Sequence, residues 1–326
     1  MADATLAAAD EGTPLKGIAY LVAGITIFSL QDVIIKGLSD AYPAHQIVFV
    51  RGLVAMLPIV ALIYYEGGPR LFRTGRPVAM TLRGLCGFIS YMTYYLALTA
   101  LPLADAVTLF YASPLFVTAL SVPLLGERVG LYRWLAVAVG FAGVVVVMRP
   151  GADGVDPAML LAVAAALSYG MMVLLTRRLS KTEAGSTMSF HSMIVFLIAS
   201  ALIGLTIGDG RLDSADHPSA QFLLRAWAWP TATDFGLFCV CGLIAGAGFY
   251  LLSQAYRVAP ASVVAPFEYS SLPWAILWGY VFWAELPGSQ TVSGVILVVG
   301  AGLFIIHREA RRGRRLVRGR TLRPRI

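Results

Sequence analysis

Residues 111–128 read YASPLFVTALSVPLLGER, and a second stretch, LPWAILWGYVFWAE at 272–285, answers them: Pro114 stands near Pro273 and Glu127 opposite Glu285. Upstream, YYLALTALPLADAV at 94–107 matches FYLLSQAYRVAPASVV at 249–264 with Tyr95 over Tyr250, and the LCG of 85–87 matches the VCG of 240–242. The chain reads as a duplication. The prolines pose an energetic question, because one in a water-exposed helix interior costs about 3 kcal/mol. In a bilayer the carbonyl it frees must find a protein partner or water, since lipid offers neither donor nor acceptor.

Composition sets the surroundings. Of 326 residues, 58% are hydrophobic and 13% charged, against roughly 45–50% apolar and 25% charged in a soluble domain; the mean hydropathy is +0.75. Apolar runs of about 20 residues can cross a bilayer as helices. Ten are expected, at 15–38, 44–65, 78–100, 103–126, 131–149, 156–178, 186–208, 233–257, 260–284 and 289–307. The expected fold is an all-α integral membrane protein whose ten transmembrane helices form two five-helix, inverted-topology repeats. Its units are an N-terminal tail (1–14), a first repeat (15–149), a second repeat (150–307) and a basic tail (308–326). The inversion follows from counting, since after five crossings the second copy enters from the opposite side. The acidic start lacks a basic region followed by a small-residue cleavage site, so the first run reads as a retained anchor.

Lys and Arg collect in cytoplasmic loops. With both termini cytoplasmic, Lys16, Arg70, Arg73, Arg76, Arg83, Arg128, Arg133, Arg177, Arg178, Lys181, Arg257 and the nine tail arginines from Arg308 to Arg325 fall inside. Arg149, Arg211 and Arg225 fall outside. The long connection 209–232, with Trp227 and Trp229, is then an outer interfacial segment. The +7 net charge lies largely in the tail, which suits anionic lipid and points away from nucleic acid. Cys86, Cys239 and Cys241 sit in apolar runs and suggest neither a disulfide framework nor a metal site. No HExxH, GxSxG or Walker pattern is present, and the four histidines are scattered. No enzyme activity, cofactor or metal is expected; a membrane-embedded enzyme or a non-transporting sensor is the remote alternative.

The pieces ALTALPLADAVTLFYASPLFVTALSVPLLGERVGLYRWLAVAVGFAGVVVVM and FSLQDVIIKGLSDAYPAHQIVFVRGLVAML resemble the EamA-type half-domain of the drug/metabolite transporter superfamily. The lysine late in the first helix, the arginine early in the second and the GER after the fourth that recur there are Lys36, Arg51 and Gly126 to Arg128. The second copy is looser, with no arginine after Glu285. The aromatic-rich spans look most like the YddG-type amino acid exporters. The resemblance implies a ten-helix exporter of a bacterial-type inner membrane, with both termini cytoplasmic and no obligatory protein partner.

Charges within spans need a partner or a purpose. Asp32 and Lys36 are spaced as a local i,i+4 pair that Arg51 could join. Glu127 and Glu285 read as helix-terminating residues in water, His191 as a packing histidine, and Glu268 as a mid-span carboxylate suited to an amino group, a cation or a proton. Gln31, Asp32, Tyr91, Tyr94, Tyr95, Tyr111, Tyr169, Tyr250, Gln254, Glu268, Ser271 and Trp274 are the candidate lining of a substrate cavity. Pro114 and Pro273 are either tolerated kinks or hinges on which the fourth and ninth helices rock. Gly242 and Gly246 would permit close packing. The expected function is alternating-access export of small metabolites, most of all amino acids including aromatic ones. Protons are a candidate coupling ion, and efflux of lipophilic cations is the alternative.

Overall fold

The computed structural model describes residues 2–127, 129–150, 154–213, 216–259 and 261–320. Arg128, Arg323 and Arg325, and the side chains of Arg257 and of the tail arginines from Arg311 to Arg320, lie outside the described residues. The chain is helical: α1 (Ala2–Leu38), α2 (Ala44–Glu66), α3 (Pro77–Ala100), α4 (Leu103–Phe110), α5 (Ser113–Leu125), α6 (Leu131–Met148) and α7 (Pro157–Leu179) are followed by α8 (Gly185–Ile207), α9 (Pro218–Leu224), α10 (Ala232–Val258), α11 (Ala261–Val264), α12 (Ser271–Trp283) and α13 (Ser289–Arg320). Short 3-10 helices lie at Gly68–Phe72 and Ala265–Ser270. The first helix thus starts at Ala2, within the stretch expected to be a tail.

Two expected spans are broken. The run 103–126 divides into α4 and α5 at Tyr111–Ala112, and 260–284 becomes α11, the 3-10 turn and α12. Both prolines lie just past these breaks, Pro114 and Pro273 each in the first turn of the helix that follows. There a missing N–H is inexpensive, because the first N–H groups of a helix have no intrahelical acceptor. They begin half-helices, whereas kinks within whole ones were expected.

Eight helical stretches among the described residues are long and apolar enough to cross a membrane, the joined α4–α5 stretch counting as one. The expected ten are not reached on that measure. The shortfall falls on α3, which carries Arg83, Ser90 and three tyrosines, and on the interrupted α11–α12 run. Both supply residues to the candidate site.

The two repeats also end their fourth helices alike. Gly126 (φ 69°) and Ala284 (φ 54°) are left-handed, and the next residue reaches back six positions, Glu127 N–H to Ser121 O (3.3 Å) and Glu285 N–H to Gly279 O (3.0 Å). Glycine adopts this conformation without strain; alanine does not.

Packing contacts fix the relative sense of the helices. Gly17 lies against Ala259 and Gly24 against Leu252, so α1 and α10 run in opposite senses. In the equivalent pair of the other repeat, Ser90 bonds Ala165 O at 2.9 Å and Arg83 bonds Thr176 at 2.7 Å, so α3 and α7 are also opposed. Tyr42 bonds Asp234 while Gly242 meets Val54, so α2 and α10 run alike. A Cβ on Gly242 would stand 2.7 Å from Arg51 O, so the Gly242/Gly246 pair seats α2 within this chain. The bundle therefore has two ends, called here after Lys36 and Glu127. The segment 209–232 closes over the Lys36 end: Ser219 bonds Leu96 O (2.6 Å), Gln46 bonds Ala228 O (2.6 Å) and Arg225 bonds Ser39 O. Trp227 packs by His45 and Phe49, while Trp229 is fully exposed.

Candidate functional site

At the centre, α1, α2 and α3 bring five polar side chains into one network. Asp32 accepts from the Tyr95 hydroxyl on Oδ1 (2.8 Å) and from the Tyr94 hydroxyl on Oδ2 (3.1 Å). Gln31 donates to Tyr95 (2.9 Å) and accepts from Arg51 Nη1 (3.1 Å). The Arg51 guanidinium lies 4.0 Å from the Tyr91 ring centroid, and Tyr91 is 4.3 Å from Tyr95. Gln31, Arg51 and Tyr95 are buried, whereas Asp32, Tyr91 and Tyr94 retain partial exposure.

Two buried atoms there have no hydrogen-bond partner among the described residues, Arg51 Nε and the Tyr91 hydroxyl. Buried donors of this kind are costly to leave unmade. An ionised carboxylate offers about four lone-pair sites, of which Asp32 uses two here. The network can therefore take a carboxylate at Arg51 and an ammonium group at Asp32.

The second part of the site forms where the broken helices meet. Tyr111, at the α4–α5 break, donates to the carbonyl of Glu268 and pairs with the Ser271 hydroxyl; its ring lies 4.8 Å from Tyr269. Rings join the two parts: Tyr95 to Tyr94 at 5.1 Å, Tyr94 to Phe110 at 5.1 Å, and Phe110 to Tyr169 at 5.2 Å.

Of the expected lining, Gln31, Asp32, Tyr91, Tyr94, Tyr95, Tyr111, Tyr169, Glu268 and Ser271 thus meet in one connected region. Tyr250, Gln254 and Trp274 do not. Tyr250 is 49% exposed, and neither it nor Gln254 hydrogen-bonds a described residue. Trp274 packs on Leu21, Ile25 and Ala255 and stacks on Trp278, whose Nε1 donates to Ser29 (3.0 Å). His191 bonds its own helix at Thr187 O (2.9 Å).

Lys36 does not pair with Asp32. Its Nζ lies 3.0 Å from Glu285 Oε1 and 2.8 Å from Leu101 O, and Glu285 also accepts the Leu103 N–H (3.2 Å). Glu285, expected free in water, binds a buried ammonium. Arg51, expected to join Asp32 and Lys36 in a net positive site for a carboxylate, lies in the Asp32 network through Gln31 (3.1 Å), without Lys36. Nothing in the sequence marked Tyr269 or Phe110. Outside this region, Arg76, Arg178 and Lys181 surround a cleft of about 420 Å³ at the Glu127 end. No group of three His, Cys, Asp or Glu among the described residues is placed to hold a metal.

A duplicated helical membrane protein with a central polar site between broken helices belongs to the class of multi-pass small-molecule transporters. The profile of the EamA-like transporter family matches residues 15–149 and again 156–307, and the chain belongs to that family. It is 28% identical over 297 residues to an S-adenosylmethionine uptake transporter of Rickettsia prowazekii, covering 91% of this chain and 94% of the relative. It is 28% identical to a riboflavin transporter of Rhizobium johnstonii, over 95% of this chain and 97% of that one. A pseudopaline exporter of Pseudomonas aeruginosa is 26% identical, over 88% and 94%. One solved crystal structure shares the fold with a TM-score of 0.61 at 21% identity, covering 93% of this chain and 99% of that chain.

Proposed function

We propose that this chain carries a small metabolite bearing an α-amino-acid head and a flat ring across a bacterial inner membrane, by alternating access between two inverted repeats. The observation that carries the substrate class is the Arg51–Gln31–Tyr95–Asp32 network, with one cationic and one anionic group held apart by neutral donors. A zwitterion matches both, and the ring path from Tyr95 to Tyr169 offers faces for an aromatic group. Aromatic amino acids and S-adenosylmethionine both meet this description. In an uncoupled cycle net flux follows the substrate gradient, and accumulated cytoplasmic substrate would be exported.

The inverted arrangement is supported by the opposed α1–α10 and α3–α7 pairs, which exchange under exchange of the repeats. Discontinuous helices meeting at the site fit a transporter of this architecture. A second reading, efflux of organic cations, draws on the mid-span carboxylate of Glu268, whose backbone carbonyl accepts from Tyr111 beside the Tyr269 ring.

Counterflow in proteoliposomes tests the proposal, with labelled phenylalanine, S-adenosylmethionine and riboflavin offered in turn. Exchange of the two amino-acid compounds and none of riboflavin is the expected result. Exchange of riboflavin alone, or of a simple lipophilic cation that zwitterions fail to displace, would overturn it.

A further inference from the structure

We infer that Lys36–Glu285 and Arg177–Glu127 are two copies of one gate, at opposite ends of the transport path, of which the first is shut in this structure. The inference rests on the alternating-access reading above and adds to it the residues that govern each end.

The equivalence is positional. Lys36 lies two residues before the end of α1 at Leu38, and Arg177 two residues before the end of α7 at Leu179. These helices open the first and second repeats. Each glutamate follows the left-handed residue that ends its repeat's fourth helix, Glu127 after Gly126 and Glu285 after Ala284. Each cation pairs with the glutamate of one repeat's fourth helix, and the crossing is reciprocal: α1 of the first repeat reaches Glu285 of the second, and α7 of the second reaches Glu127 of the first. Exchanging the repeats turns one pair into the other.

The two pairs are held very differently. Lys36 Nζ is within 3.0 and 3.2 Å of both Glu285 oxygens, donates to Leu101 O and sits 4.9 Å from the Trp283 ring. The side chains of Lys36 and Glu285 are 7% and 27% exposed. Arg177 and Glu127 stand 3.8 Å apart at 47% and 42% exposure. A buried ammonium depends on its carboxylate, whereas an exposed, loosely held pair contributes little. Like chemistry at matched positions, buried at one end and open at the other, is what a two-state element caught in one state requires. In the alternate state the environments exchange: Arg177 and Glu127 close and desolvate while Lys36 and Glu285 part. The four residues act through helix position and are positioning residues, with no contact to the substrate implied.

The test reads sidedness. A reporter chain carrying Cys86→Ala, Cys239→Ala, Cys241→Ala and Ser271→Cys is placed in vesicles of known orientation and treated with a membrane-impermeant maleimide. The parent reporter should react from the Glu127 end. Glu285→Gln should raise labelling from the Lys36 end several-fold, and the charge swap Lys36→Glu with Glu285→Lys should return it towards the parent. Glu127→Gln, at an exposed site, should leave resting labelling unchanged while slowing counterflow several-fold. Unaltered sidedness in Glu285→Gln with a folded, monodisperse protein overturns the inference. So does unaltered counterflow in Glu127→Gln; if Glu285→Gln does not fold, the swap and Glu127→Gln decide. A wild-type chain that exchanges no tested compound strikes the substrate proposal instead, and sidedness still decides for or against the gates.

Discussion

A buried guanidinium with one side-chain acceptor among the described residues and a ring beneath it is a demanding group. Arg51 is 4% exposed, bonds Gln31 and covers Tyr91, and its Nε has no partner among the described residues. If that nitrogen awaits a carboxylate, Arg51→Lys retains the charge and loses the planar fork, which weakens binding about tenfold, or ~1.4 kcal/mol. Titration of the purified variant with phenylalanine or S-adenosylmethionine checks this. Asp32→Asn should abolish exchange of amino-acid compounds, since an amide cannot hold the ammonium charge; its carbonyl can still accept from one of Tyr94 and Tyr95, and its amide N–H can donate to the other hydroxyl. Near-normal counterflow of phenylalanine in Asp32→Asn would exclude the ammonium role. Asp32 and its tyrosines were legible because polar groups stand out in apolar runs. The partner of Lys36 was not, because i,i+4 spacing offers Asp32 at once while Glu285 lies 249 positions away.

Among elements, the broken fourth and ninth helices carry the structural information that hydropathy conceals. The apolar run passes through Tyr111–Ala112 without a change of composition, so the sequence reads as one span; only Pro114 hints that a new first turn begins there. Pro273 stands in the same relation to the 3-10 turn at Ala265–Ser270. In each case the proline fixes where the second half-helix starts, and the Tyr111 hydroxyl then joins the two breaks through the Glu268 carbonyl. Replacing both prolines with alanine should leave the protein folded and slow counterflow; unchanged flux would reduce them to tolerated features. The ends of these helices supply a stability prediction with opposite signs. Gly126→Ala should cost about 1–2 kcal/mol, because a Cβ is forced into a left-handed residue, and Ala284→Gly should recover a comparable part of that strain. Thermal unfolding in detergent measures both, and midpoints moving in the same direction would contradict the shared geometry.

At the level of the whole molecule, two observations of different kinds bear on how the bundle lies in its membrane. The first is relative: opposed α1–α10 and α3–α7 pairs and the covered Lys36 end define two faces of the bundle without saying which faces the cytoplasm. The second is absolute but statistical, the preference of Lys and Arg for the cytoplasmic side. They converge, because Arg70, Arg73, Arg76, Arg178 and Lys181 belong to the Glu127 end, three of them around one cleft, whereas the Lys36 end has Arg149, Arg211 and Arg225. Repetition was readable from sequence, since matched segments such as 94–107 and 249–264 survive in a single chain; the contacts between repeats were not, since each joins residues far apart in the chain. If the reading is correct, Gly75→Cys in the loop before α3 should react with impermeant maleimide only from the cytoplasmic side, and Arg211→Cys only from the outside. Both positions are exposed, and neither belongs to the site or the gates. Labelling of both from one side would contradict the two-ended bundle itself. Labelling from opposite sides in the reverse order would keep the bundle and reverse its direction in the membrane, making the shut Lys36 gate the cytoplasmic one.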